Sequence, residues 1–155
     1  MAKWQFFFLW IAGLSIMPAA YAAQLQSFER GDVVIETSSG SHEISVELAV
    51  SPDQRAQGLM FRQRLGADEG MLFLYPSDRI ATMWMKNTMI PLDMLFIAAD
   101  GRVVRIAERT VPQSTETISS EKPVRAVLEL NGGTAARLGI GTGAVVRLPA
   151  SAAKN

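Results

Sequence analysis

The sequence predicts a mainly β, single-domain protein, a β-sandwich or barrel with two short helices. Three observations carry this. About eight short segments alternate in polarity or run continuously apolar, as strands do. Turn chemistry recurs between them, at Ser38-Ser39-Gly40-Ser41, Asp68-Glu69-Gly70 and Asp100-Gly101. Helix start and stop signals occur at only two places. Many short strands punctuated by turns favour sandwiches and barrels.

The 155 residues begin with a processing pattern. Lys3 gives a positive start, Phe6 to Met17 is a short apolar run, Pro18 breaks it, and Ala20-Tyr21-Ala22 is an A-x-A site. This is the pattern of a secretory signal peptide, and the run falls short of the roughly 20 residues of a spanning helix. Cleavage is expected after Ala22, leaving Ala23 to Asn155 as one exported, periplasmic or secreted domain. That length suits a single core. There are no cysteines, which excludes disulfides, thiolate metal sites and a cysteine nucleophile. Fifteen basic and fifteen acidic residues balance, and losing Lys3 takes the net charge to −1. No electrostatic footprint for nucleic acid or anionic lipid results. A monomer, with no membrane attachment after cleavage, is expected.

Ala23 to Gly31 reads as a lead-in, and Val33 to Thr37 as a strand. In Glu43 to Val50, Ile44, Val46 and Leu48 share one face, so the two strands form a hairpin. Ser51-Pro52-Asp53-Gln54 opens a short helix by a capping box with proline at the first position, and Gly58 stops it. Met71 to Tyr75 is a strand, Pro76 to Arg79 a loop, and Thr82 to Lys86 a further strand ended by Ile90-Pro91. Leu92 to Ala98 is continuously apolar, as in a strand buried on both faces. Asp100-Gly101 is a strong hairpin signal, with Arg102 to Arg109 as the returning strand. Val111 to Pro123 is polar and reads as an exposed, mobile loop. Val124 to Leu130 is a strand. Gly133-Thr134 opens a short helix over Ala135 to Leu138, closed by Gly139. Ala144 to Leu148 is the last strand, and Ala150 to Asn155 should fray.

Chemistry concentrates in Trp84-Met85-Lys86-Asn87-Thr88-Met89-Ile90-Pro91-Leu92-Asp93. Charged and polar groups stand there inside an apolar run, where burial requires that they be paired or used. With Arg55, Arg62 and Glu129 they make a candidate ligand-binding set: Arg55, Arg62, Trp84, Lys86, Asn87, Asp93 and Glu129. Converged, such groups would clamp an anion and stack a sugar-like face on the indole. Two other readings stand beside it. Asp93 and Glu129 could act as the two carboxylates of a glycan-directed hydrolase. The polar groups could also pair only with one another, as the structural knot of a protein-interaction domain.

Other signals are weaker. His42, the single histidine, lies in a Ser/Gly turn outside the polar cluster, which makes a Ser-His-Asp triad a poor reading. No serine neighbours Lys86 in sequence. Met60, Met71, Met83, Met85, Met89 and Met94 invite a Cu(I) reading, but Met83 and Met85 at strand spacing suit core packing better. Asn131-Gly132-Gly133-Thr134 lacks the lysine of a nucleotide loop, and Asp100-x-Arg102 lacks calcium spacing. No metal or cofactor is expected.

Several motifs follow one another in order: Glu47-Leu48-Ala49, Gln54 to Arg62 (QRAQGLMFR), Gly70-Met71-Leu72-Phe73, Trp84 to Thr88, Ile90-Pro91-Leu92-Asp93, Ala126 to Leu130, and Leu138-Gly139-Ile140. This series resembles the bacterial and archaeal domain-of-unknown-function family 192, over roughly Ile44 to Leu148. The resemblance implies a compact β-rich domain similar to a jelly roll, often exported. The family brings no established activity, and so no catalytic residues carry over. The expected function is a non-enzymatic binding module for a small anionic or carbohydrate-like envelope ligand.

Overall fold

A computed structural model describes residues 25–149. The expected signal peptide and the C-terminal residues from Ala150 lie outside these. Seven strands and two short helices follow in order: β1 (Glu29–Thr37), β2 (Gly40–Ala49), α1 (Pro52–Gln57), β3 (Glu69–Met83), β4 (Leu92–Ile97), β5 (Val103–Ala107), β6 (Ile118–Asn131), α2 (Thr134–Leu138) and β7 (Val145–Arg147).

All strands join one sheet of order β5-β4-β6-β3-β2-β1-β7. Only β2 and β3 pair in parallel, because α1 carries the chain across between them. The sheet curls until its edges touch. Arg102 bridges to Val145, and the Val146 N–H donates to the Gly101 carbonyl at 2.8 Å. The mainly β expectation therefore holds in the form of a curled, half-barrel sheet, and not as two separately hydrogen-bonded layers.

The curl divides the core in two. Inside it lie Val33, Ile35, Ile44, Val46, Leu72, Leu95, Leu128 and Leu130 with residues of β7. On the outer face of the central strands a second cluster gathers Met71, Phe73, Met83, Met85, Leu92, Met94, Phe96 and Val127. Alternation along β3, β4 and β6 sends successive side chains to the two cores, so all six residues of β4 are buried. Met71, Met85 and Met94 are buried in this outer core, as gap-filling thioethers.

The first hairpin is in register from Glu29–Leu48 to Thr37–Gly40. The Ser51/Gln54 capping box forms in both directions, with Gly58 ending α1. Asp100-Gly101 turns the β4–β5 hairpin, with Gly101 at φ 84°.

Two expectations need correction. The loop expected at Pro76 to Arg79 is part of β3, which continues through register shifts between Leu74 and Arg79 and between Ile80 and Thr82. Pairing resumes after the shifts because β6 also begins early, at Ile118. Half of the expected Val111 to Pro123 loop is thereby strand. Its polar residues serve the irregular ladder: the buried Ser120 hydroxyl accepts from the Ala81 N–H at 2.9 Å and donates to the Lys122 carbonyl at 2.7 Å. Serine and threonine can substitute for missing backbone partners in this way, which composition alone reads as a loop.

Candidate functional site

The outer face of the sheet builds the site. Glu47, Met71, Glu129 and Met94 form one row across β2, β3, β6 and β4. The neighbouring row is Ala49, Phe73, Val127 and Phe96. Glu129 thus stands on an apolar floor with methionines on both sides. It is 3% exposed. No described residue hydrogen-bonds or ion-pairs with its carboxyl, and burial alone pushes its pKa up to about 8. A buried carboxyl without a partner favours its neutral form.

Above this floor lies a narrow cleft of about 30 Å³. One wall is α1 and the turn after it, with Arg55, Gly58, Leu59 and Met60; the others are Phe73 and Met83 of β3 and the Trp84–Thr88 segment. Gly58 is required here. Its φ is +50°, and a Cβ would meet the Phe73 ring at 3.0 Å. A cavity needs only about 10–15 Å³ of such space to hold one water molecule, so the cleft has room for a small polar group of a ligand.

The mouth is cationic and aromatic. Trp84 is 45% exposed, and the Lys86 ammonium lies 5.2 Å from its ring centroid. Arg55 donates through Nη1 to the carbonyls of Val50 and Leu74 and stacks 5.6 Å over Tyr75. Its guanidinium is therefore held in place by backbone. Burial raises the Tyr75 pKa; Arg79 and Arg55 oppose this, and Glu129 adds to it. Asn87, at φ 56°, accepts from the Phe61 N–H through its carbonyl at 2.9 Å, tying the turn after α1 to this segment.

Of the seven residues expected from sequence, four converge: Arg55, Trp84, Lys86 and Glu129 line the cleft. Asn87 adjoins it through its backbone. Arg62 does not join; it pairs with Glu47 beside Arg30 and Glu69. Asp93 does not join either. It is fully buried, accepting from the N–H groups of Arg109 at 2.8 Å, Gly133 at 3.0 Å and Ala135 at 2.8 Å.

The expectation that Lys86 is buried is corrected, because Trp84 and Lys86 take the exposed side of their segment while Met83 and Met85 take the core. Gly133 is the N-cap of α2, without a side-chain cap bond, and the Asp93 carboxylate accepts from the N–H groups of Gly133 and Ala135 instead. Sequence reasoning missed Phe73, Met83 and Met60 as lining residues, since apolar side chains read as core.

The family model described as Uncharacterized ACR, the domain-of-unknown-function family 192, matches residues 33–148. The chain belongs to this family. A structure from Novosphingobium aromaticivorans DSM 12444, of unknown function, is 42% identical with a TM-score of 0.78, covering 86% of this chain and 94% of that one. A structure from Sinorhizobium meliloti 1021, described as a candidate transcription regulator, is 49% identical with a TM-score of 0.77, covering 80% of this chain and 97% of that one. No curated protein matches. Every residue lining the cleft falls within the matched family span.

Proposed function

We propose that this family member is an exported, monomeric, non-enzymatic binding domain for a small anionic or carbohydrate-like ligand of the cell envelope. One observation carries the reading: the Glu129 side chain, 3% exposed and without a hydrogen-bond or ion-pair partner among the described residues, lines a narrow cleft whose mouth holds a half-exposed tryptophan and a lysine. Buried polar groups are nearly always hydrogen-bonded, so a group left open toward a cleft invites a partner from outside. The size of the cleft divides the labour. One polar group of the ligand enters, and the rest lies outside against Trp84, as apolar sugar faces lie on aromatic rings. The N-terminal A-x-A pattern supports export.

The hydrolase alternative draws no support from the geometry, because Asp93 is committed to three backbone donors and lies on the other face of the sheet. A regulatory role such as that suggested for the Sinorhizobium relative would call for a basic surface, and the charges here balance.

The test is thermal unfolding against uronic acids, muropeptides, dicarboxylates and phosphates. A ligand at 100 times its Kd adds about 2.7 kcal/mol, a shift of several degrees in Tm. A shift with one class, lost in Trp84→Ala, supports the reading. Absence of a shift with every class contradicts it.

A further inference from the structure

We propose that the group entering the cleft is a carboxylate, held directly against the Glu129 carboxyl with the Lys86 ammonium at the mouth. This rests on the cleft being a ligand site and narrows its chemistry. The floor offers a carboxyl without a partner among the described residues, and the walls around it include the apolar Phe73, Met83 and Leu59. Arg55 and Lys86 also line the cleft. A cationic ligand would meet these two positive charges. A neutral hydroxyl would complete Glu129 but leave Lys86 with only the indole face. A carboxylate answers both ends: one oxygen accepts the Glu129 O–H, and the charge is balanced by Lys86. Such O–H···O⁻ bonds are short, about 2.5–2.7 Å, and stronger than neutral ones.

The pair contains one proton, which stays on Glu129. Two ionised carboxylates in one apolar site repel each other, so the site accepts a single negative charge. The groups around Glu129 agree with this count. Met71 and Phe73 on β3, Met94 on β4 and Val127 on β6 are apolar. Arg55 comes from α1, Lys86 from the Trp84–Thr88 segment, and Tyr75 with Arg79 stacked on it from β3. Glu47, in the same row on β2, is paired with Arg62. Binding is therefore strong while Glu129 holds its proton and weakens as that proton is lost.

The experiment is calorimetric titration of the protein with D-glucuronate, acetate, succinate and D-glucose at pH 6.5 and pH 9.0. The expected result is glucuronate tighter than glucose by about tenfold or more at pH 6.5, the factor equivalent to 1.4 kcal/mol. At pH 9.0 the glucuronate affinity falls by about tenfold, because Glu129 titrates at about 8. Glu129→Gln, which keeps a donor and cannot ionise, is expected to bind glucuronate equally at both pH values. Equal binding of the two sugars, or wild-type glucuronate binding that ignores pH, overturns the inference while the binding-module reading stands. If glucuronate, acetate and succinate all fail while glucose binds, the inference again falls alone. If none of the four binds, both fall.

Discussion

Asp93 and Glu129 lie one register step apart on adjacent strands and face opposite sides of the sheet. Met94 is the direct partner of Glu129, and Asp93 is the partner of Leu130. The two buried carboxyl groups consequently have opposite fates. Asp93, on the inner side, is saturated by three N–H donors that anchor the start of α2 and the chain after β5. Glu129, on the outer side, has no hydrogen-bond or ion-pair partner among the described residues and lines the cleft.

Asp93→Ala should damage the fold without touching the cleft. It strands three N–H donors, two of them at the start of α2. Losing one partner of a buried hydrogen bond costs about 1–3 kcal/mol, so a loss of several kcal/mol is expected. Urea unfolding would report it as a lowered midpoint with an unchanged slope.

Glu129 should make the free protein less stable as pH rises. Its folded pKa, about 8, lies above its ordinary value of 4.5. Between these values the folded state binds more protons than the unfolded state. Stability then falls with pH, on the order of 1.4 kcal/mol per unit for one group. The penalty is absent below about pH 4.5 and complete above about pH 8. Glu129→Gln should remove this slope, stabilising the protein by several kcal/mol at pH 9 and hardly at pH 4. Parallel wild-type and variant curves across that range would contradict the assignment.

Trp84→Ala and Lys86→Met should separate binding from folding. Both side chains are exposed at the mouth, where substitutions usually change stability by within about 0.5 kcal/mol. Ligand affinity should drop about tenfold or more in each, since stacking and charge contacts are each worth on the order of 1 kcal/mol or more. A large stability loss in Lys86→Met would favour a purely structural role for the cluster.

Gly58→Ala should disturb the wall of the cleft. The φ of +50° and the 3.0 Å approach of the Phe73 ring leave no unstrained place for a methyl group. Residues held in such backbone regions cost on the order of 1–3 kcal/mol. Thermal unfolding should show lower stability, with weaker binding because Gly58 and Phe73 both line the cleft.

Much of this was legible from local pattern. The Ser51/Gln54 capping box, the Asp100-Gly101 hairpin and the doubly buried β4 follow from residues adjacent in sequence, and each forms as read. The merging of β3 across Pro76 was not legible, because it depends on β6 offering partners 35 or more residues away, as in Met83–Ile118. The site divided in the same way. Trp84 and Lys86 share a side by simple alternation, and Glu129 was suspect as a charge in an apolar strand. The separation of Asp93 from Glu129 needed the register between β4 and β6, which no single segment encodes. Arg62 was misplaced because its partner Glu47 lies on β2, 15 residues earlier in the chain, and no local pattern shows that the two meet.

The most direct test of the central claim, that Glu129 is an open group awaiting a ligand, is its carboxyl ¹³C titration by NMR with and without glucuronate. Titration near pH 8 in the free protein, moving upward with glucuronate present, is the expected result. A Glu129 that titrates near 4.5 and ignores glucuronate would show a solvated or internally paired carboxylate, and the cleft would not be the site.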